Sequence, residues 1–180
     1  MYDYYLGGKD NYAADRAAAE RAIEAVPGLR ELARANRRFL GRVVAHLAAS
    51  GIGQFIDLGT GLPTQRNVHE VAREIDPLAR VVYVDNDPTV LAHARALLAA
   101  DDRTQVIGAD VRDVDGLLAR PELGDLIDFD RPVAVLMFAL LHTFNADADP
   151  YGFVRRFTDT VVPGSMLAIS HAAAGVRPET

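Results

Sequence analysis

The 180 residues include no cysteine, so disulfides, thiolate catalysis, zinc ribbons and iron–sulfur clusters are all excluded. Positive charge is in short supply: 19 basic side chains face 25 acidic ones, for a net charge of −6 and a pI near 5.3. A sequence-independent nucleic-acid binder needs a basic face to displace counterions, and this balance argues against one. Lysine is almost missing, with Lys9 alone beside 18 arginines and 29 alanines. That skew fits a GC-rich genome, so the number of arginines does not by itself mark a binding patch. Long apolar runs are lacking as well. The longest, Pro132 to Leu141, is about half of the ~20 residues that a membrane helix requires. The opening MYDYYLGGKD has no charged-then-apolar leader pattern. With 49% hydrophobic and 24% charged residues, the chain reads as one cytosolic globular domain with no repeat and no linker.

The first fifty residues read as helix. Asp10 or Asn11 can cap a run from Tyr12 to Ala25 that stops at Pro27-Gly28, and a second helix carries one apolar stripe from Leu29 to Leu47. The period then changes. Gln54–Leu58, Arg80–Asp85, Thr104–Asp110, Pro132–Phe138 and Ser165–Ser170 are short aliphatic runs, and four of the five lack polar alternation, as strands covered on both faces do. Helical patterns lie between them at Thr64–Ile75, Pro88–Ala100, Asp113–Leu118 and Pro150–Val161. This alternation predicts an open, doubly wound α/β fold with a parallel sheet. Residues 1–50 form a helical N-terminal segment, and residues 54–171 form the core of a single domain spanning 1–180.

Open α/β sheets bind ligands at the carboxyl ends of their strands. Strand one is followed by Asp57-Leu58-Gly59-Thr60-Gly61-Leu62-Pro63-Thr64, strand two by Asp85-Asn86-Asp87-Pro88, and strand three by Asp110-Val111. Strand four leads to His142 and strand five to His171. Glycines at 59 and 61 permit a tight turn and close backbone approach. A dinucleotide loop would carry a third glycine where Thr64 stands, and Asp57 would sit badly beside a pyrophosphate. An acid at that position suits a ligand with an amino group. Asp85 is placed to accept both hydroxyls of a ribose.

These residues resemble the class I S-adenosylmethionine-dependent methyltransferases, in the D-x-G-x-G loop Asp57–Gly61, the acid Asp85 and the pair Ala109-Asp110. The longer strings YDYYLGGKDNYAADR, DLGTGLPTQRNVHEVA, VVYVDNDPTVLAHARALL and DPYGFV are similar to one bacterial family of such methyltransferases, formerly designated DUF574. The resemblance implies a Rossmann-like sheet in the order 3-2-1-4-5 and S-adenosyl-L-methionine as cofactor. The acceptor is expected to be a small molecule, since the charge balance argues against a nucleic-acid partner and the short apolar runs against a membrane. By position, the resemblance implies that Gly59, Thr60 and Gly61 pass under the methionine and ribose, that Asp57 fixes the loop and the amino group, and that Asp85 holds the ribose. Asn86 would border the adenine, Asp110 would take its amino group and Val111 would lie beside the ring. Pro63 replaces the third glycine of the commonest version of the loop.

His142 is the candidate general base, and His171 competes for that role. His46, His69 and His93 lie within helical patterns and are expected to be solvated. Tyr2, Tyr4, Tyr5 and Lys9 form either a lid or an aromatic anchor. Asn36, Arg37 and Arg38 face either the cofactor or solvent. No metal-ligand pattern and no nucleotide-triphosphate loop is present. Two other functions fit part of the pattern: a nicotinamide-dependent oxidoreductase, supported by Asp85 and the glycine pair, and a non-catalytic S-adenosylmethionine-binding module. The family ordinarily closes its sheet with an antiparallel strand pair. The stretch from Ala172 to Thr180 shows no strand pattern, so a truncated domain is expected, with strand five an exposed edge open to a second copy.

Overall fold

The computed structural model describes residues 2–9, 11–63, 66–98 and 101–172. Three helices precede the sheet: α1 (Tyr2–Leu6), α2 (Ala13–Ala25) and α3 (Leu29–Ala49). There follow β1 (Gln54–Leu58), α4 (Val68–Arg73), β2 (Arg80–Asp85), α5 (Pro88–Leu98) and β3 (Thr104–Gly108). The chain continues through α6 (Val114–Leu118), α7 (Pro121–Gly124), β4 (Ala134–Phe138), α8 (Pro150–Thr160) and β5 (Met166–Ser170). The five strands pair in the order β3-β2-β1-β4-β5, all in parallel. This is the Rossmann-like topology expected from the sequence.

Strand alternation divides the core in two. Ile56, Leu58, Val82, Val84, Val135 and Met137 face α6, α7 and α8, where Leu117, Leu123, Phe153 and Phe157 meet them. Phe55, Val81, Tyr83, Ala134 and Leu136 face α3 and α4, against Leu40, Val44, Leu47, Val68 and Val71. Only part of the expected α3 stripe is buried: Leu32 and Phe39 are exposed, because the helix meets the sheet along its second half.

Several element boundaries move. α4 begins at Val68 and not at Thr64, which lies outside the described residues, and Asn67 caps it. α2 begins at Ala13, with Tyr12 as its cap residue. There the Asp15 carboxylate accepts the Tyr12 N–H at 3.3 Å, while Asp10 lies outside the described residues. β5 is not covered on both faces, since Met166 (47%), Leu167 (38%) and Ile169 (36%) are exposed. Residues 173–180, where strand structure was not expected, lie outside the described residues. Among the described residues, no helix is long and apolar enough to cross a membrane.

The YDYYLGG segment anchors the helices. Tyr5 is buried, the Tyr2 hydroxyl donates to the Ala33 carbonyl at 3.1 Å, and Tyr4 packs under the Arg30 guanidinium at 4.7 Å. A Cβ at Gly8 would stand 1.8 Å from Asp3 Oδ1, so a side chain there would displace the buried Asp3 carboxylate.

Candidate functional site

The parallel sheet brings the ends of β1, β2 and β3 to one edge, and hydrogen bonds join their loops. The Gly59 and Thr60 N–H groups both donate to the Val84 carbonyl, at 2.8 and 3.2 Å. The Thr60 hydroxyl donates back to the Asp57 carbonyl at 3.0 Å. Asp85 is the clasp: one carboxylate oxygen accepts the Gly61 N–H at 2.9 Å, and the other accepts the Asp87 N–H at 2.9 Å. Each oxygen keeps acceptor capacity. Asn86 is exposed beside it. The two glycines differ in what they require. Gly59, at φ +71°, would bring a Cβ within 2.5 Å of Leu140 Cδ1. Gly61, at φ +67°, has nothing within 4 Å of that position.

Asp57 lies on the strand face that looks toward α3. It is 5% exposed, and among the described residues its carboxyl has no hydrogen-bond partner. Burial raises its pKa to about 7, the charge of Arg37 works against that shift, and the like charge of Asp85 adds to it. Native interiors rarely leave a buried carboxyl without a partner, and where one occurs a functional role or a bound water, ion or ligand accounts for it.

β3 adjoins through the Ala109 N–H, which donates to the Asp85 carbonyl at 3.0 Å. Asp110 does not stand free. Arg112 grips it through Nε at 2.9 and 3.0 Å and through Nη2. These bonds outweigh the opposing effect of its partial burial and hold its pKa below the usual carboxylate value. The Arg112 guanidinium also lies 5.9 Å from the centre of the Phe144 ring. The Val111 side chain is turned into the core.

His142 and His171 come together at the ends of β4 and β5, their ring centroids 5.7 Å apart at 77°. Partial burial first, and His171 second, lower the His142 pKa. Ala139, at φ +52°, turns the chain toward His142, and its N–H donates to the Ser170 hydroxyl at 2.9 Å. The histidines make no polar contact with Asp57, Asp85 or Asp110 among the described residues.

Three features were not anticipated. His69 is half-buried: its Nδ1 lies 2.8 Å from the Tyr83 hydroxyl, which accepts the His69 backbone N–H at 3.0 Å. His93, half-buried, contacts the Thr89 carbonyl through Nδ1 at 2.9 Å, whereas His46 is exposed as expected. Arg37 ties α3 to the α4 cap, donating to the Arg66 carbonyl and to Asn67 Oδ1, both at 3.2 Å. Finally, a cleft of about 960 Å³ opens between α1, α3 and the loop before α4. Spacings of four residues along α3 were the only sequence signal for it.

A family profile described as S-adenosyl methyltransferase matches residues 1–180. The crystal structure of a candidate methyltransferase from Thermobifida fusca YX superimposes with a TM-score of 0.92 at 48% identity, over 98% of this chain and 66% of that one. A DUF574 family protein from Streptomyces avermitilis MA-4680 gives a TM-score of 0.89 at 46% identity, over 93% of this chain and 65% of that one. The ribosomal RNA small subunit methyltransferase H of Halorhodospira halophila is 33% identical over 90 residues, which are 49% of this chain and 26% of that protein. The chain thus spans just under two thirds of the two similar structures and about a quarter of the curated relative.

Proposed function

Because the chain belongs to the S-adenosyl methyltransferase family, we propose that it transfers a methyl group from S-adenosylmethionine to an oxygen, nitrogen or carbon nucleophile of a small molecule. The observation that supports this most is Asp57, a buried carboxyl without a hydrogen-bond partner among the described residues, on the strand that leads into the Gly59–Gly61 turn. An ammonium group is the complement such a carboxyl lacks, and the cofactor's methionine end carries one. The nicotinamide reading has no comparable support and gives way to the family membership.

When bound, the cofactor supplies a methyl group on a positively charged sulfur, already activated for transfer. The chain's own task is to hold and align. Asp57 pairs with the amino group, and Gly59, Thr60 and Gly61 keep the backbone low beneath the ligand. Asp85, fixed by the Gly61 and Asp87 N–H groups, turns its remaining lone pairs to the ribose hydroxyls. Asn86 borders the adenine, Asp110 accepts from its amino group while Arg112 holds that carboxylate in place, and Val111 supports the ring from the core side. His142 takes the acceptor's proton. Its lowered pKa keeps the imidazole neutral near pH 7, the form a base requires, and His171 is its neighbour and substitute. Alignment and exclusion of water provide most of the acceleration.

Residues 1–50 and 54–171 act as one unit in this reading, working in the cytoplasm, with the β5 edge as a contact for a second copy. Calorimetry with S-adenosylmethionine and S-adenosylhomocysteine tests the binding half. The parent chain is expected to bind both, and Asp85→Ala to bind at least about tenfold more weakly, the loss of one well-placed charged hydrogen bond. A folded sample that gives no heat with either ligand refutes the reading.

A further inference from the structure

The cleft beside α3 has a charge that the whole chain does not prepare for. Arginines are 18 of 180 residues, yet they are five of the 15 residues lining this cleft: Arg34, Arg37, Arg38, Arg42 and Arg66. Two carboxylates share the lining, and both are engaged. Asp3 accepts from Asn11 Nδ2 at 2.8 Å, and Glu70 accepts the Asn67 N–H at 2.6 Å. Arg37 is committed to the α4 cap, and Arg66 pairs with Glu74 at 3.5 Å.

Arg34, Arg38 and Arg42 are different. They stand four residues apart on one face of α3, and among the described residues none of the three makes an ion pair. Like charges at this spacing repel one another and weaken a helix. Among the described residues no acid stands within ion-pairing distance of them, although the chain has an excess of acids. Leu6, Ala45, Pro63 and Leu97 give the wall its apolar part, and Asn67 adds one neutral polar side chain. A volume of about 960 Å³ is that of a site for a small molecule, which range over roughly 300–1,000 Å³. The position also fits. Pro63 lies two residues beyond Gly61 in the sequence, and the charge of Arg37 reaches Asp57.

We propose that this cleft receives the acceptor, and that the acceptor is a small organic anion. Its carboxylate, sulfonate or phosphate lies against Arg34, Arg38 and Arg42, and its apolar body rests on Leu6, Pro63 and Leu97. The word acceptor rests on the methyl-transfer reading, whereas the anion site stands without it. A nucleic acid is disfavoured, because the net charge of −6 repels a polyanion before it reaches a concave site.

A matched pair of fluorescent probes tests this on the 180-residue chain: 1-anilinonaphthalene-8-sulfonate, and N-phenyl-1-naphthylamine, the same rings without the sulfonate. In protein saturated with S-adenosylhomocysteine, the sulfonate is expected to bind at least about tenfold more tightly than the neutral probe. The double variant Arg34→Gln/Arg38→Gln should lose most of that preference while its neutral-probe and S-adenosylhomocysteine affinities stay within about twofold. Arg155→Gln, an exposed arginine on α8, should change nothing. Equal binding of the two probes by the parent chain overturns the proposal whatever the variants do, so it does not depend on their folding. So does an unchanged preference in the double variant. Parallel loss of sulfonate and S-adenosylhomocysteine binding overturns it in favour of a site for the cofactor's carboxylate. Displacement of the sulfonate by a short single-stranded RNA at lower concentration than by citrate overturns it in favour of nucleic acid. A chain that binds no S-adenosylhomocysteine but keeps its sulfonate preference retains the anion site and loses the methyl-transfer reading, so the two fail separately.

Discussion

Asp57 carries a pH dependence whose sign follows from burial. Its folded pKa of about 7 lies above the ordinary value of 3.8, so the folded state holds this proton more tightly than the unfolded chain does. The stability it contributes is complete below about pH 4 and is lost as the pH rises through 7, by about 4 kcal/mol for three pKa units. Asp57→Asn is therefore expected to match the parent in urea unfolding near pH 4 and to exceed it by a few kcal/mol at pH 8. In the parent, S-adenosylhomocysteine should bind more tightly as the pH rises from 6 to 8, since the ammonium needs the ionised carboxyl. Calorimetry across that range checks this, and a flat profile would remove Asp57 from the contact. The two loop glycines predict a contrast. Gly59→Ala meets both a left-handed backbone and Leu140, for a loss of about 2–4 kcal/mol in denaturant unfolding. Gly61→Ala meets only the backbone penalty of about 1–2 kcal/mol, but its methyl group enters the open space that the proposed cofactor contact would use. Its S-adenosylhomocysteine affinity should fall at least tenfold, a larger effect on binding than on folding.

Helix α4 has six residues, too few to persist without tertiary support. Asn67 and Glu70 close a capping box at its start, and Tyr83 from β2 adds the third contact by accepting the His69 N–H. Tyr83 is buried, and burial drives its pKa far above the ordinary value, so the hydroxyl stays protonated beside His69 Nδ1. Burial likewise lowers the His69 pKa. The stability from neutral His69 is thus present above pH 6.5 and is lost as the pH falls through its lowered value. Tyr83→Phe leaves the N–H and Nδ1 without this partner and should cost about 1–3 kcal/mol at pH 8. The difference between variant and parent should shrink in acid, when His69 becomes charged in both. Thermal unfolding of the pair at pH 8 and pH 5 measures it.

At the scale of the molecule, the sheet is asymmetric. β3 is flanked by α5, whereas β5 presents Met166, Leu167 and Ile169 to solvent. An apolar edge with unpaired backbone groups is a template for another strand. The 180-residue chain is expected to self-associate with rising concentration in sedimentation velocity. Ile169→Lys, at a position already 36% exposed, should weaken that association with little effect on the melting temperature. A parent chain that stays monomeric at high concentration would show that the edge is protected.

Local chemistry made much of this protein readable from its sequence. Unbroken apolar runs mark strands buried on both faces, and their alternation with helical periods leaves a parallel sheet as the solution. Asp57, the two loop glycines and Asp85 are legible because strand ends and turns demand particular residue types within a few positions. Other features depend on groups far apart in the chain. Asp85 clasping Gly61, Tyr83 closing α4, Arg112 holding Asp110 beside Phe144, and the pairing of His142 with His171 all arise from packing. So does the arginine cleft: composition gave the number of arginines, but only the docking of α3 against α1 and the loop before α4 gathered five of them around one space. Sequence spacing fixes which residues share a face of an element, and tertiary packing decides what that face meets.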